Sequence, residues 1–153
     1  MYQLQEEENM INRFAVFCTQ INKISHHIQR IKNHKMKEFD LKGIHCMCLF
    51  QLHHYDNQLT LTQLAANCNE DKAAISRVVN QLTADGYINE QPSNKYRVCL
   101  TLTEKGHEVA EQIDTLSINA VEAIGKDLTE EEREIFYKAL ASISDNISEY
   151  LSE

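Results

Sequence analysis

The chain has 153 residues, 42% hydrophobic and 25% charged, which describes one globular domain with a real core and excludes a disordered or fibrous protein. One proline and four glycines leave few breaks and favour helices. A net charge of −8 argues against indiscriminate polyanion binding, and no apolar run approaches the ~20 residues of a membrane span.

The N-terminus, MYQLQEEENM, is acidic and lacks the basic-then-apolar order of a secretory signal, so a cytoplasmic protein with no membrane partner is expected. The five cysteines (Cys18, Cys46, Cys48, Cys68, Cys99) are odd in number and scattered, so structural disulfides are not expected. The charge is unevenly placed. Residues 103–153 hold four basic against thirteen acidic groups, residues 21–42 carry six basic against two acidic, and residues 70–102 balance four against four. The local field selects a partner more than the total does, so DNA remains open as a ligand.

From about Glu8 to Lys37, Ile11, Phe14, Phe17, Cys18, Ile21, Ile24, Ile28 and Ile31 recur at helical spacing without a break. A helix near 30 residues extends ~45 Å, longer than one small core can cover, which points to a second subunit. A second helix fits Leu41 to Tyr55. Thr60 with Gln63 then forms a capping box, opening a short helix with Leu61, Leu64 and Ala65 on its apolar face. Asn67 to Glu70 reads as a turn. Asp71 caps a further helix whose buried face is Ile75, Val78, Val79 and Leu82, and Gly86 ends it.

Lys72, Ala73, Ser76, Arg77 and Asn80 fall largely on the opposite face of that helix. Lys and Arg suit phosphates and guanine edges, Asn and Ser suit base edges, and a small residue permits close approach. In a helix-turn-helix the second helix enters the major groove in this way. An ordinary solvated helix face has the same composition, so the flanking elements decide.

After Gly86, Tyr87 to Asn89 reads as a short strand and Glu90 to Lys95 as a loop. Tyr96 to Leu102 reads as a second strand, in which Tyr96, Val98, Leu100 and Leu102 alternate with Arg97, Cys99 and Thr101. This is a β-hairpin wing whose Lys95 and Arg97 can reach phosphates or a minor groove. A long helix follows from Thr103, with Val109, Ala110, Ile113, Leu116, Val121 and Ile124 on its apolar side. Thr129 with Glu132 is a second capping box, and it opens a last helix with Ile135, Phe136, Leu140, Ile143, Ile147 and Leu151 in a stripe. The fold class is mainly α with a small β-hairpin wing: a winged helix-turn-helix with six helices.

The segment LTQLAANCNEDKAAISRVVNQLTADGYI, with LTLTEKG at Leu100 to Gly106, resembles the MarR family of bacterial winged-helix regulators. The resemblance rests on Leu64-Ala65, Asp71-Lys72, Ala73-Ala74, Ser76-Arg77, Leu82, Gly86 and Leu102 to Gly106. It implies a single MarR-type domain over residues 1–153, with residues 8–37 and 103–153 as dimerisation helices and residues 41–102 as the DNA-binding lobe. It further implies a homodimer on a pseudo-palindromic operator, and a small-molecule effector that releases DNA from what is expected to be a repressor. Many members carry Asp-x-Arg in the wing. Here the aligned positions are Asn94, Lys95 and Tyr96, with Arg97 one residue later, so the face of the strand that Arg97 occupies is open.

Other chemistry is weakly represented. No Gly-rich phosphate loop or nucleophile elbow suggests an enzyme. Some family members sense zinc, and His45 with Cys48, at i and i+3, are candidate ligands if another helix completes the set. Others sense oxidants through a cysteine of the first helix, which makes Cys18 a redox candidate, although it shares a stripe with Phe17 and Ile21. Cys68 and Cys99 read as structural. No cofactor is expected. The alternatives are a winged-helix protein-interaction module without DNA binding, or a metal- or thiol-redox-sensing form of the regulator.

Overall fold

The structure is a computed structural model that describes residues 2–55, 58–93 and 97–152. Its elements are α1 (Tyr2–Met36), a 3-10 turn (Lys37–Phe39), α2 (Gly43–His54), α3 (Leu61–Cys68), α4 (Lys72–Ala84), β1 (Ile88–Ser93), β2 (Arg97–Leu102), α5 (Glu104–Ile124) and α6 (Glu130–Tyr150). The six helices and the hairpin expected from the sequence are all present, in the expected order. The chain divides into two compact units, Met1–Ile113 and Asp114–Glu153.

The first unit has one core, built from Leu49 and Leu52 of α2, Leu64 of α3, Ile75 and Leu82 of α4, Ile88 of β1, Leu100 of β2 and Val109 of α5. Short α3 and α4 lack the length to be stable alone and take their stability from this shared apolar face. The start of α2 is pinned from two sides. Asn33 of α1 accepts from the Gly43 N–H at 2.8 Å, and the His45 ring accepts from the Lys42 N–H at 2.8 Å. A Cβ at Gly43 would meet Asn33 Oδ1 at 2.9 Å and Lys32 Cβ at 3.2 Å, so glycine sets how closely α1 crosses α2.

The hairpin is antiparallel, with Ile88 opposite Leu102 and Ser93 opposite Arg97. β1 therefore runs through Glu90, Gln91 and Pro92, which the sequence assigned to a loop. Proline is tolerated because each strand of a two-stranded sheet has a free edge. Leu59 adds one bridge to the outer side of β2, where its carbonyl accepts from Leu100 N–H at 2.8 Å.

The junction from α4 to α5 is closed by hydrogen bonds to three successive carbonyls. Lys105 Nζ donates to Asp85 O at 2.8 Å, Thr103 Oγ1 to Gly86 O at 2.7 Å, and Thr103 N to Tyr87 O at 3.0 Å. Lys105 Nζ also lies 3.9 Å from the centre of the Tyr87 ring, a cation–π contact. Gly86 takes φ +77°, the left-handed conformation that glycine adopts without strain. At Gly106 a Cβ would collide with the Tyr87 carbonyl. The Thr-Glu-Lys-Gly run is thus the geometry of this junction.

The second unit holds the end of α5, a turn and α6. Thr129 caps α6 as expected, accepting from Glu132 N–H while Glu132 accepts from Thr129 N–H at 2.8 Å. These bonds hold the Glu132 carboxyl below its usual range. No residue of α6 is buried, and Ile135, Phe136, Leu140, Ile143 and Ile147 are all exposed. No helix among the described residues is long and apolar enough to cross a membrane.

Candidate nucleic-acid interface

The interface is organised by α4 and its cap. Asp71 Oδ1 accepts from Ala74 N–H at 2.9 Å, fixing the first turn. Ile75, Val78, Val79 and Leu82 are buried. Helical spacing then turns the opposite face outward: Lys72, Ala73, Arg77 and Asn80 are exposed, and Ser76 is half-buried at its margin. Arg77 Nε donates to Ala73 O at 3.3 Å, which lays the guanidinium along its own helix and leaves its two terminal nitrogens to face outward. All five recognition-helix candidates are therefore brought onto one face.

Thr60 and Gln63 form the expected capping box. Gln63 Oε1 accepts from Thr60 N–H at 2.9 Å, and Thr60 Oγ1 accepts from Gln63 N–H at 3.3 Å. These caps also line an open groove of about 480 Å³ whose walls are Thr60, Leu61, Thr62 and Gln63 of the α3 start, Lys72 of the α4 start and Val98 of β2. Two helix N-termini and a lysine meet there, an arrangement that favours an anionic backbone. The sequence showed Thr60 and Gln63 only as caps, because the meeting of α3, α4 and β2 is a long-range feature.

The wing candidates divide. Lys95, with Asn94 and Tyr96, lies outside the described residues. Arg97 begins β2 opposite Ser93.

The metal candidates do not form a site. His45 is buried, and its Nδ1 is occupied as an acceptor for the Lys42 N–H. Burial, with the neighbouring Lys42 charge, pushes its pKa below 6.5, while Gln81 and Asp85 act in the opposite direction. His45 is thus a neutral cap for α2. Cys48 is buried one turn further on, where its thiol meets Cys68. Among the described residues, no three His, Cys, Asp or Glu side chains are grouped to hold a metal ion. Cys18 is half-buried on α1. His53 and His107, which the sequence did not pair, approach with Nδ1 atoms 3.4 Å apart and rings at 69°.

A capped helix pair with an outward cationic face, followed directly by a hairpin, defines a winged helix-turn-helix protein. Residues 39–95 match the model of the MarR family. The chain is 26% identical over 95 residues to the HTH-type transcriptional repressor YetL of Bacillus subtilis, a match covering 61% of this chain and 57% of that repressor. The fold is also that of a MarR protein from Peptoclostridium difficile, at 24% identity and TM-score 0.79, covering 88% of each chain. It is likewise that of MepR from S. aureus in its DNA complex, at 20% identity and TM-score 0.77, covering 84% of this chain and 94% of that one. The chain belongs to the MarR family.

Proposed function

We propose that this chain is a sequence-specific DNA-binding transcription regulator that acts as a homodimer and represses until a small-molecule effector binds. The observation that carries the reading is the α4 face. Lys72, Ala73, Ser76, Arg77 and Asn80 point outward from a helix whose other side is locked in the core. Arg77 is the direct reader, because a guanidinium held against its own helix turn loses little freedom when it meets a guanine edge. Lys72 and the groove between Thr60 and Val98 take the phosphate backbone. Arg97 and Lys95 extend the contact along the wing.

The apolar stripes of α1 and α6, exposed in a single chain, supply the dimer surface in this reading. Two copies of α4 then address successive major grooves of a pseudo-palindrome. An effector acts by preferring a dimer whose α4 helices are wrongly spaced. MepR, which shares the fold, was captured on DNA, and YetL is a repressor; both facts support the reading by analogy. The activity is binding without turnover, in the cytoplasm.

The test is a mobility shift with DNA upstream of the protein's own gene at two salt concentrations. A shift that weakens with salt is expected. Arg77→Ala should leave the dimer intact and cost about 1–3 kcal/mol of operator affinity. No shift at either salt concentration overturns the reading, and unchanged affinity in the variant removes Arg77 from it.

A further inference from the structure

We infer that Cys48 and Cys68 are a redox pair that forms an α2–α3 disulfide under hydroperoxide and thereby loosens the grip of α4 on DNA. The inference rests on the DNA-binding reading for its consequence, but not for its chemistry.

The geometry comes first. Cys48 lies in the middle of α2, fully buried, and Cys68 is the last residue of α3, half-buried. Their thiols are in hydrogen-bond contact across the packed α2–α3 pair, with Cys48 donating and Cys68 accepting. An independent bond holds the same two places together, since Gln51 Nε2, one turn beyond Cys48, donates to Asn67 O, next to Cys68. Both cysteines belong to the apolar cluster that otherwise contains only aliphatic and aromatic side chains around them.

The two thiols are unequal in the way a sensor pair requires. Cys68 has access to solvent, and the hydrogen bond from Cys48, aided by Lys32, holds its thiol below the ordinary range against burial and Glu70. Cys48 is shielded, and its thiol is pushed up by the same contact and by burial. Cys46, also buried, is pushed up without such a partner. Cys68 is therefore the attacking sulfur and Cys48 the resolving one.

The chemistry balances as follows. The Cys68 thiolate attacks one oxygen of a hydroperoxide, the O–O bond breaks, and the other oxygen leaves as hydroxide or alkoxide, giving a sulfenic acid on Cys68. The Cys48 sulfur then displaces that hydroxyl. The Cys48 proton leaves with it as water and the S–S bond forms. Two sulfurs each lose one electron, and the peroxide gains two.

The position of the pair makes this a switch. The residue after Cys68 is Asn69, whose left-handed backbone (φ 53°) turns the chain into Asp71 and α4. A disulfide replaces an adjustable thiol contact with a fixed 2.0 Å bond of set dihedral, of about the length given in. Any adjustment of α2 against α3 is delivered at the hinge that aims the reading helix.

The experiment uses the full chain, reduced, then treated with one equivalent of hydrogen peroxide. Free thiols are blocked, peptides are mapped without reductant, and operator affinity is measured in parallel. A Cys48–Cys68 link, at least a tenfold loss of affinity and full recovery with dithiothreitol are expected. Cys68→Ser, at a half-exposed site, should bind DNA like the reduced chain and ignore peroxide; Cys48→Ala should stop at the sulfenic acid. A link through Cys18, Cys46 or Cys99, oxidation of Cys68 without a link, or a link without loss of affinity overturns the inference. If the reduced chain never shifts DNA, the DNA-binding reading fails, and the peptide map still decides the disulfide.

Discussion

Helices α4 and α6 are built from the same parts and end in different states. Each opens on an oxygen side chain that accepts a backbone N–H, Asp71 for α4 and Thr129 for α6. Each carries aliphatic residues at three- and four-residue spacing. In α4 those residues are 0–7% exposed, whereas Leu140 and Ile143 of α6 remain 39% and 38% exposed, and Ile135 68%. Local sequence rules produced both helices. What differs is whether the chain itself supplies the opposing surface, and for α4 it does. The lesson is that periodicity locates an apolar face without saying whether that face is covered within one chain or by a second copy.

The comparison can be broken by substitutions of matched kind. Leu82→Ala empties a fully buried site and should lower stability by ~2–5 kcal/mol, read by urea denaturation. Its midpoint should fall equally at every protein concentration. Ile143→Asp should leave the secondary structure of a single chain intact but cost roughly 1.5–3 kcal/mol per buried isoleucine in association. Sedimentation should then show monomer where the parent is dimer. An unaltered dimer would place the interface elsewhere than on α6. The two caps should cost about the same, ~1 kcal/mol each for Asp71→Ala and Thr129→Ala in thermal or chemical melts. Only the first is expected to weaken operator binding as well.

The smallest effect concerns pH. His45 has a folded pKa below its ordinary 6.5 because it is buried and accepts the Lys42 N–H as a neutral ring. The unfolded chain therefore binds the proton more readily. The contribution is fully present above pH 6.5 and is lost as pH falls through the lowered folded value. Stability measured from pH 7.5 down to 5 should decline, and His45→Gln should flatten that decline. A pH dependence identical to the parent's would exclude His45 as its source.

Much of this architecture was legible in the residues. Thr60, Asp71 and Thr129 announced three helix starts because a cap is a contact between residues three apart. The faces of α4 followed from spacing alone, and with them the candidates Lys72, Ala73, Ser76, Arg77 and Asn80. What the sequence hid depends on contacts distant in the chain. Pro92 suggested a loop, but pairing with Val98 carries β1 through it. His45 had the donor atoms of a metal ligand, yet one of them closes the start of α2. Cys68 read as a structural cysteine because nothing local says that α3 ends against the middle of α2. The groove beside Thr60 is invisible for the same reason.

The junction at residues 85–87 has a consequence for how such proteins diversify. Its hydrogen bonds from Thr103 and Lys105 all end on main-chain carbonyls, so the side chains at Asp85 and Tyr87 do not supply these acceptors. The hairpin between Tyr87 and Thr103 is clipped shut at its base. Everything beyond that clip can lengthen, shorten or change sequence as a cassette while α4 and α5 keep their mutual register. The wing is thus the part of this scaffold most open to rewriting, and its interchange between relatives should alter what is read without altering what is folded.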